Sequence, residues 1–312
     1  MTMKYVFGPV PSRRLGLSLG VDLIPSKTCS FDCLYCEVGR TTVLTLTPLN
    51  YAPYAEVVRE VKERLQTCRP DVITIAGSGE PTLYADLEKV IGGIKEITEI
   101  DVALLTNGSL FWREEIVRRV LHADIILPTL SSAFEDTFRK IHRPPAELLL
   151  EKVIDGLKKL RAMYSGRIFL ETIFLAGMND TDEEIAALKS VIDAINPDKI
   201  QLNTVVRPPA DIRAKCLDMK RLKEIKNFFG PKAEIVAGAP VGREKKGWES
   251  AAEDFLEMVR RRPLTAADMA RLSNMGLQDA QSVIKGLLMK GMIQKREHSR
   301  EIFYVAGEEN VQ

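Results

Sequence analysis

From about Val21 onward the chain alternates short β-branched apolar runs with amphipathic helical patterns, and that order admits few folds. The runs are Val21 to Ile24, Val72 to Ala76, Val102 to Thr106, Ile125 to Leu130, Ile168 to Ala176 and Ile200 to Val206. Each is nearly continuous in apolar character, as parallel strands buried on both faces are. Helical stripes lie between them. Pro53 opens the first, which sets Tyr54, Val57, Val58, Val61 and Leu65 on one face; Thr181 followed by Glu184 predicts a capping box for another. Six strands, each followed by a crossover helix, predict an α/β fold, a partial (βα)6 TIM-like barrel of parallel strands with right-handed connections. Its functional face is expected at the C-terminal ends of the strands.

The pattern changes near Gly238. Residues 1–240 are assigned to the barrel, 241–248 to a polar, Gly-containing linker and 249–312 to a small C-terminal winged helix-turn-helix domain. There, three helical patterns precede two short strands around a charged turn; the helix-turn-helix turn is expected near Gly276, with Leu277 to Lys290 as its second helix. At 312 residues and 45% hydrophobic, the chain can bury cores for one large and one small domain. The net charge of +1 gives no global field that names a partner. Charge is segregated locally: Met258 to Arg300 carries nine basic and three acidic side chains. The wing Lys295 to Arg300, with Gln278, Gln281 and Lys285, is therefore a candidate surface for RNA or DNA, although winged helices also dock proteins. The N-terminus lacks a signal-peptide apolar stretch, and every apolar run stops well short of a membrane span, so the expected setting is cytoplasmic, with no membrane partner.

Three of the five cysteines, Cys29, Cys33 and Cys36, fall within eight residues. Such close spacing suits a metal better than a disulfide framework. Structural zinc needs four protein ligands; Cys68, His122, His142 or Cys216 would have to arrive from elsewhere, and a spacing of three then two is uncommon for zinc motifs. A four-iron cluster held by three thiolates leaves one iron open to a substrate or cofactor.

Cys29-x3-Cys33-x2-Cys36, with Tyr35 before the last cysteine, resembles the signature of the radical S-adenosylmethionine (radical SAM) superfamily. The resemblance implies a [4Fe-4S] cluster on those cysteines and S-adenosylmethionine at the open iron, cleaved reductively to a 5′-deoxyadenosyl radical. It also implies an electron donor, a reductase or a flavodoxin- or ferredoxin-type protein. Gly77-Ser78-Gly79-Glu80-Pro81 is similar to the superfamily's Gly-Gly-Glu-Pro motif for the cofactor's amino group, with Ser78 in place of the first Gly. Thr106 and Asn107 end the third strand. Thr129 and Ser131 stand where relatives contact the ribose or methionine, without the usual acidic or amide partner, and Asn203 stands on the adenine side. Gly8 to Thr41, together with Ser78 to Tyr84, resembles more closely the wyosine-type group of Fe-S oxidoreductases, related to tRNA 4-demethylwyosine synthase, over residues 1–240. Cys68 and Cys216 are too few for that group's second cluster, and no lysine matches its Schiff-base position, so the wyosine reaction itself is not expected.

Arg13 and Arg14 before the first strand, and Arg207 and Arg213 after the sixth, should lie near the barrel mouth. Guanidinium groups bind carboxylates and phosphates bidentately, which suits an anionic substrate; solvated surface charges are the plainer alternative. Three functions follow: a radical SAM enzyme modifying an RNA or an anionic small molecule, one modifying a protein or peptide docked on the winged helix, or an Fe-S redox sensor that reads DNA. Glu80 and its glycines argue against the sensor, which has no need of a site for a cofactor's amino group.

Overall fold

The structure, a computed structural model, describes residues 3–237, 248–273 and 275–307. Nearly all of the expected linker, 241–248, lies outside the described residues.

The chain opens with a hairpin, β1 (Val6–Ser12) and β2 (Gly16–Val21), then forms a loop closed by a parallel pair of two-residue strands, β3 (Thr28–Cys29) and β4 (Val43–Leu44). There follow α1 (Tyr54–Leu65), β5 (Val72–Ile75), α2 (Leu87–Ile97), β6 (Val102–Thr106), α3 (Glu114–Arg118) and β7 (Ile125–Pro128). Next come α4 (Glu135–His142), α5 (Leu150–Met163), β8 (Arg167–Phe174), α6 (Asp182–Ile195), β9 (Lys199–Thr204), α7 (Met219–Phe229) and β10 (Ala233–Ile235). One sheet runs β1-β2-β5-β6-β7-β8-β9-β10, parallel throughout except for the β1–β2 pair. Its inner strands are buried on both faces, as their unbroken apolar runs require.

The first parallel strand is Gly16–Val21, not the expected Val21 to Ile24. Its alternation of Leu with Gly and Ser hides it, yet Gly20 is required there: a Cβ would stand 2.1 Å from the ring of Phe7, which lies across the strand. Leu23 and Ile24 are buried as loop residues. Two further strands were not legible: β1, split by Gly and Pro, and β10, only three residues long. Thr181 does cap α6, its hydroxyl accepting from the Glu184 N–H at 3.2 Å. Glu184 does not complete a capping box, because its carboxylate accepts instead from Ser132 and Thr137.

The C-terminal region contains α8 (Trp248–Val259), β11 (Leu264–Thr265), α9 (Ala266–Ser273), α10 (Leu277–Met289), β12 (Ile293–His298) and β13 (Glu301–Ala306), with a sheet ordered β11-β13-β12. Phe255, Met258, Leu264, Met269, Ile284 and Tyr304 form a second core, which Val10 of β1 joins. The Arg261 guanidinium lies 4.3 Å over the Phe7 ring and pairs with Asp22 at 3.2 Å. Arg296 donates to the Pro209 carbonyl and His298 faces the Val205 carbonyl, both at 3.4 Å. Two residues of the expected nucleic-acid wing thus touch the segment that follows β9, while Lys295, Arg296 and Arg300 are exposed.

Candidate active site

The loop 30–42 carries Cys33 and Cys36, and Cys29 ends β3. Its backbone is fixed by α4: Leu34 N–H donates to the Ile141 carbonyl at 2.9 Å and Asp32 N–H to the His142 carbonyl at 3.0 Å, satisfying helix-end acceptors. Asp32 accepts from Thr41 N–H, Arg40 and Arg143. Burial would raise its pKa, but these three donors together hold it below the ordinary carboxylate value. Arg143, left-handed at φ 45°, reaches both Asp32 and Asp211 from the end of α4. The loop is braced before any ligand binds.

Burial pushes the Cys29 thiol up to about 12, with the charges of Glu80 and Cys36 adding to it. Cys33 is raised by burial and then by Cys29 and Cys36. The three thiols therefore sit close enough to oppose one another's ionisation, a condition that cationic irons would relieve. Among the described residues no three His, Cys, Asp or Glu side chains converge as the ligands of a single ion. Ligands of a multi-iron cluster each take a different iron and need not converge, so this donor set fits a cluster better than zinc. His142, missed as a site residue, is 1% exposed, and its Nδ1 lies 3.3 Å from Cys33 Sγ and 3.4 Å from the Tyr35 hydroxyl. Burial lowers its pKa to about 3, so the ring is neutral. In sequence it was only one of two candidate histidines; the α4 packing brings it to the loop.

Gly77 to Pro81 follow β5 and dock on the loop entry. Lys27 N–H donates to the Ser78 carbonyl at 2.8 Å and Glu80 N–H to the Thr28 carbonyl at 3.2 Å. A Cβ on Gly79 would stand 2.0 Å from that Thr28 oxygen, so only glycine allows the approach. Ser78, the departure from the motif, donates its hydroxyl to Asp22 at 2.7 Å and its N–H to the same carboxylate at 3.1 Å. Glu80 is 2% exposed. Its Oε1 accepts from Thr82 N–H, the Thr82 hydroxyl and the Thr106 hydroxyl; its Oε2 accepts from Asn107 N–H at 2.7 Å. Burial outweighs these donors and leaves its pKa raised. Asn107 in turn donates to Ser30 at 2.9 Å and approaches Cys29 Sγ at 3.6 Å.

A cavity of about 360 Å³ opens beside Cys36 and Tyr35, at the ends of β2, β5, β8 and β9. Arg13, Arg14, Arg207 and Asn203 line it, with Gly77. Glu171, also missed, lines it, accepting from Arg14, from Asn203 at 2.9 Å and from Thr129 at 3.4 Å. Its signal was present, a lone carboxylate in the apolar run Ile168 to Ala176. Arg13 and Arg207 flank Glu37, at 3.7 and 3.3 Å. Two expectations are corrected. Arg213 is turned to solvent and paired with Asp211 at 2.8 Å, apart from this cavity, because the turn 208–213 carries it outward. Ser131 is fully buried, its hydroxyl accepting from Ile173 N–H at 3.1 Å, so it bonds β8 rather than facing the cavity. Cys68 bonds the Arg64 carbonyl and packs on the core, whereas Cys216 is exposed and bonds the Leu217 carbonyl at 3.4 Å.

A parallel sheet whose strand ends gather a three-cysteine loop and a glycine-rich acidic turn defines a cofactor-dependent α/β enzyme. The chain belongs to the radical SAM superfamily, whose family model matches residues 23–189. Enzymes of this superfamily use a [4Fe-4S] cluster with S-adenosylmethionine and need an electron donor. A UPF0026 protein of Methanocaldococcus jannaschii is 32% identical over 310 residues, covering 97% of this chain and 96% of that protein. A protein named GTPase Obg from Brachyspira hyodysenteriae is 37% identical over 296 residues, covering 94% of this chain; the chain spans only 44% of that relative's length. Among solved structures, a radical SAM methyltransferase from Sphaerobacter thermophilus superposes with a TM-score of 0.54 at 15% identity, covering 70% of this chain and 65% of that one. SuiB of Streptococcus suis bound to S-adenosylmethionine gives 0.50 at 16% identity, covering 67% and 43%. These likenesses establish the fold. No helix among the described residues is long and apolar enough to cross a membrane.

Proposed function

We propose that Cys29, Cys33 and Cys36 hold a [4Fe-4S] cluster and that the chain uses it to cleave S-adenosylmethionine reductively and modify an anionic substrate. The observation that carries this reading is the joint placement of the three thiols with the Gly79–Glu80 turn: Glu80 N–H bonds the Thr28 carbonyl, adjacent to Cys29. When bound, the cluster and S-adenosylmethionine supply a 5′-deoxyadenosyl radical. The chain's own residues bind and orient. Gly79 gives backbone access, and Oε2 of Glu80, which among the described residues accepts only from Asn107 N–H, retains a lone pair for an ammonium donor. Asn107 places a donor beside Cys29, and His142 sets a ring nitrogen beside Cys33. Asn203 and Glu171 form the polar floor of the cavity, and Arg13, Arg14 and Arg207 make its wall cationic, which favours an anionic substrate.

The N-terminal run Gly8 to Thr41 supports kinship with the wyosine-type group, and the order α8-β11-α9-α10-β12-β13 supports a winged-helix reading of the C-terminal domain. The domain limits of 240 and 249 stand as part of that reading. A flavodoxin- or ferredoxin-type protein is the proposed reductant. The test is anaerobic reconstitution followed by iron counting and product analysis. About four irons per chain are expected, with methionine and 5′-deoxyadenosine formed on reduction. Iron that survives replacement of all three cysteines by Ala, or bound zinc in its place, overturns the reading.

A further inference from the structure

The cavity beside Cys36 is not built by the main sheet alone. Met258, Arg261 and Arg262, from the end of α8 and the turn before β11, complete its lining. That turn is held firmly. Arg261 and Arg262 N–H both donate to the Met258 carbonyl at 2.9 Å, and the Arg261 side chain is fixed by Asp22, the Glu257 carbonyl and the Phe7 ring. The Arg262 side chain makes no hydrogen bond among the described residues.

Three guanidinium groups line the cavity here, and two of them carry buried nitrogens with no acceptor. Arg207 is 5% exposed, and its Nε has no hydrogen-bond partner; Nη1 of Arg13, on a side chain 10% exposed, has none either. Glu37 is the carboxylate in the cavity wall that Arg13 and Arg207 share, at distances too long for strong bonds. Burial lowers Arg262 to about 10; the charges of Arg207 and Arg13 add to that effect, while those of Glu37 and Asp268 oppose it. A protein rarely buries donors of this kind without an acceptor, since each unmet one carries a desolvation cost. A ligand of opposite charge would supply the missing acceptor.

We propose that Arg262, together with Arg13 and Arg207, forms an oxyanion site that takes a carboxylate or phosphate group of the substrate. The proposal rests on the radical SAM reading of the cavity and extends it to the C-terminal region. That region then closes the reaction chamber and supplies a binding residue, so it is not a detachable recognition module. At about 360 Å³ the cavity admits a small molecule or the end of a chain. A duplex does not fit.

The test uses the full-length chain, cluster-free and reconstituted, and titrates inorganic phosphate and S-adenosylmethionine separately by calorimetry into the parent, Arg262→Gln, Arg262→Lys and Arg13→Gln. Loss of one charge-assisted bond corresponds to about a tenfold weakening or more. Phosphate affinity is expected to fall by at least that factor in both Gln variants and to recover partly in Arg262→Lys, with the affinity for S-adenosylmethionine and the iron content unchanged. Absence of phosphate binding by the parent, or equal binding by parent and both Gln variants, overturns the proposal. A fall in S-adenosylmethionine affinity with phosphate unaffected overturns it too, by assigning the arginines to that cofactor's carboxylate. Failure of the cluster reading would appear separately, as missing iron in the parent chain.

Discussion

Replacing Glu80 with Gln changes one oxygen to an amide nitrogen and removes a charge, and the geometry around it leaves the amide no good orientation. Oε1 accepts from a backbone N–H, Thr82, and from two hydroxyls; Oε2 accepts from another backbone N–H, Asn107. The hydroxyls can rotate away. The two backbone donors cannot, so whichever way the amide turns, one N–H of Gln faces one N–H of the chain at about 3 Å. A buried donor left unmet costs about 1–3 kcal/mol. Against this, burial already raises the pKa of Glu80, so removing its charge returns part of a desolvation penalty. The unmet donor wins, and the expected loss falls at the lower end, about 1–2 kcal/mol. Urea unfolding of the cluster-free protein measures it. Because Asn107 is the neighbour of Cys29 and Glu80 the proposed ammonium partner, S-adenosylmethionine should also bind more weakly by calorimetry, with iron content retained. A variant as stable as the parent that binds S-adenosylmethionine equally well would refute both the hydrogen-bond argument and the assignment.

Further outcomes follow from single contacts. Gly79→Ala puts a Cβ 2.0 Å from the Thr28 carbonyl and should destabilise by about 1–3 kcal/mol or abolish cluster uptake, whereas Gly92→Ala, with nothing within 4 Å in α2, should be neutral or stabilising by up to about 1 kcal/mol; paired thermal melts compare them. Asp22→Ala strands two Ser78 donors and a half-buried Arg261, and should cost about 3 kcal/mol in urea unfolding, more than Asp22→Asn. His142→Phe keeps the aromatic packing with Phe31 and Phe138 but removes the nitrogen beside Cys33. The reconstituted cluster's potential, read by redox titration, should become more negative, and an unchanged value would show that the nitrogen does not bond the sulfur.

The sequence by itself determined what depends on local pattern. Continuous apolar runs located five of the parallel strands to within two residues of where they form, because strands buried on both faces tolerate little else. The cysteine spacing and the Gly-Ser-Gly-Glu-Pro turn were legible because ligand geometry and close backbone approach restrict residue type at fixed offsets. The strand Gly16–Val21 was not, since its small residues make sense only once Phe7 lies across them. Tertiary structure alone decided which charges meet. Glu171, His142 and Arg262 come from β8, α4 and the turn after α8, so no spacing along the chain relates them to Cys36 or Arg13. Arg213 and Arg207 are six residues apart and looked equivalent; a tight turn sends one to solvent and the other into the cavity. Side-chain direction and long-range packing carry that information, and both are set only when the sheet and the C-terminal helices close on β1.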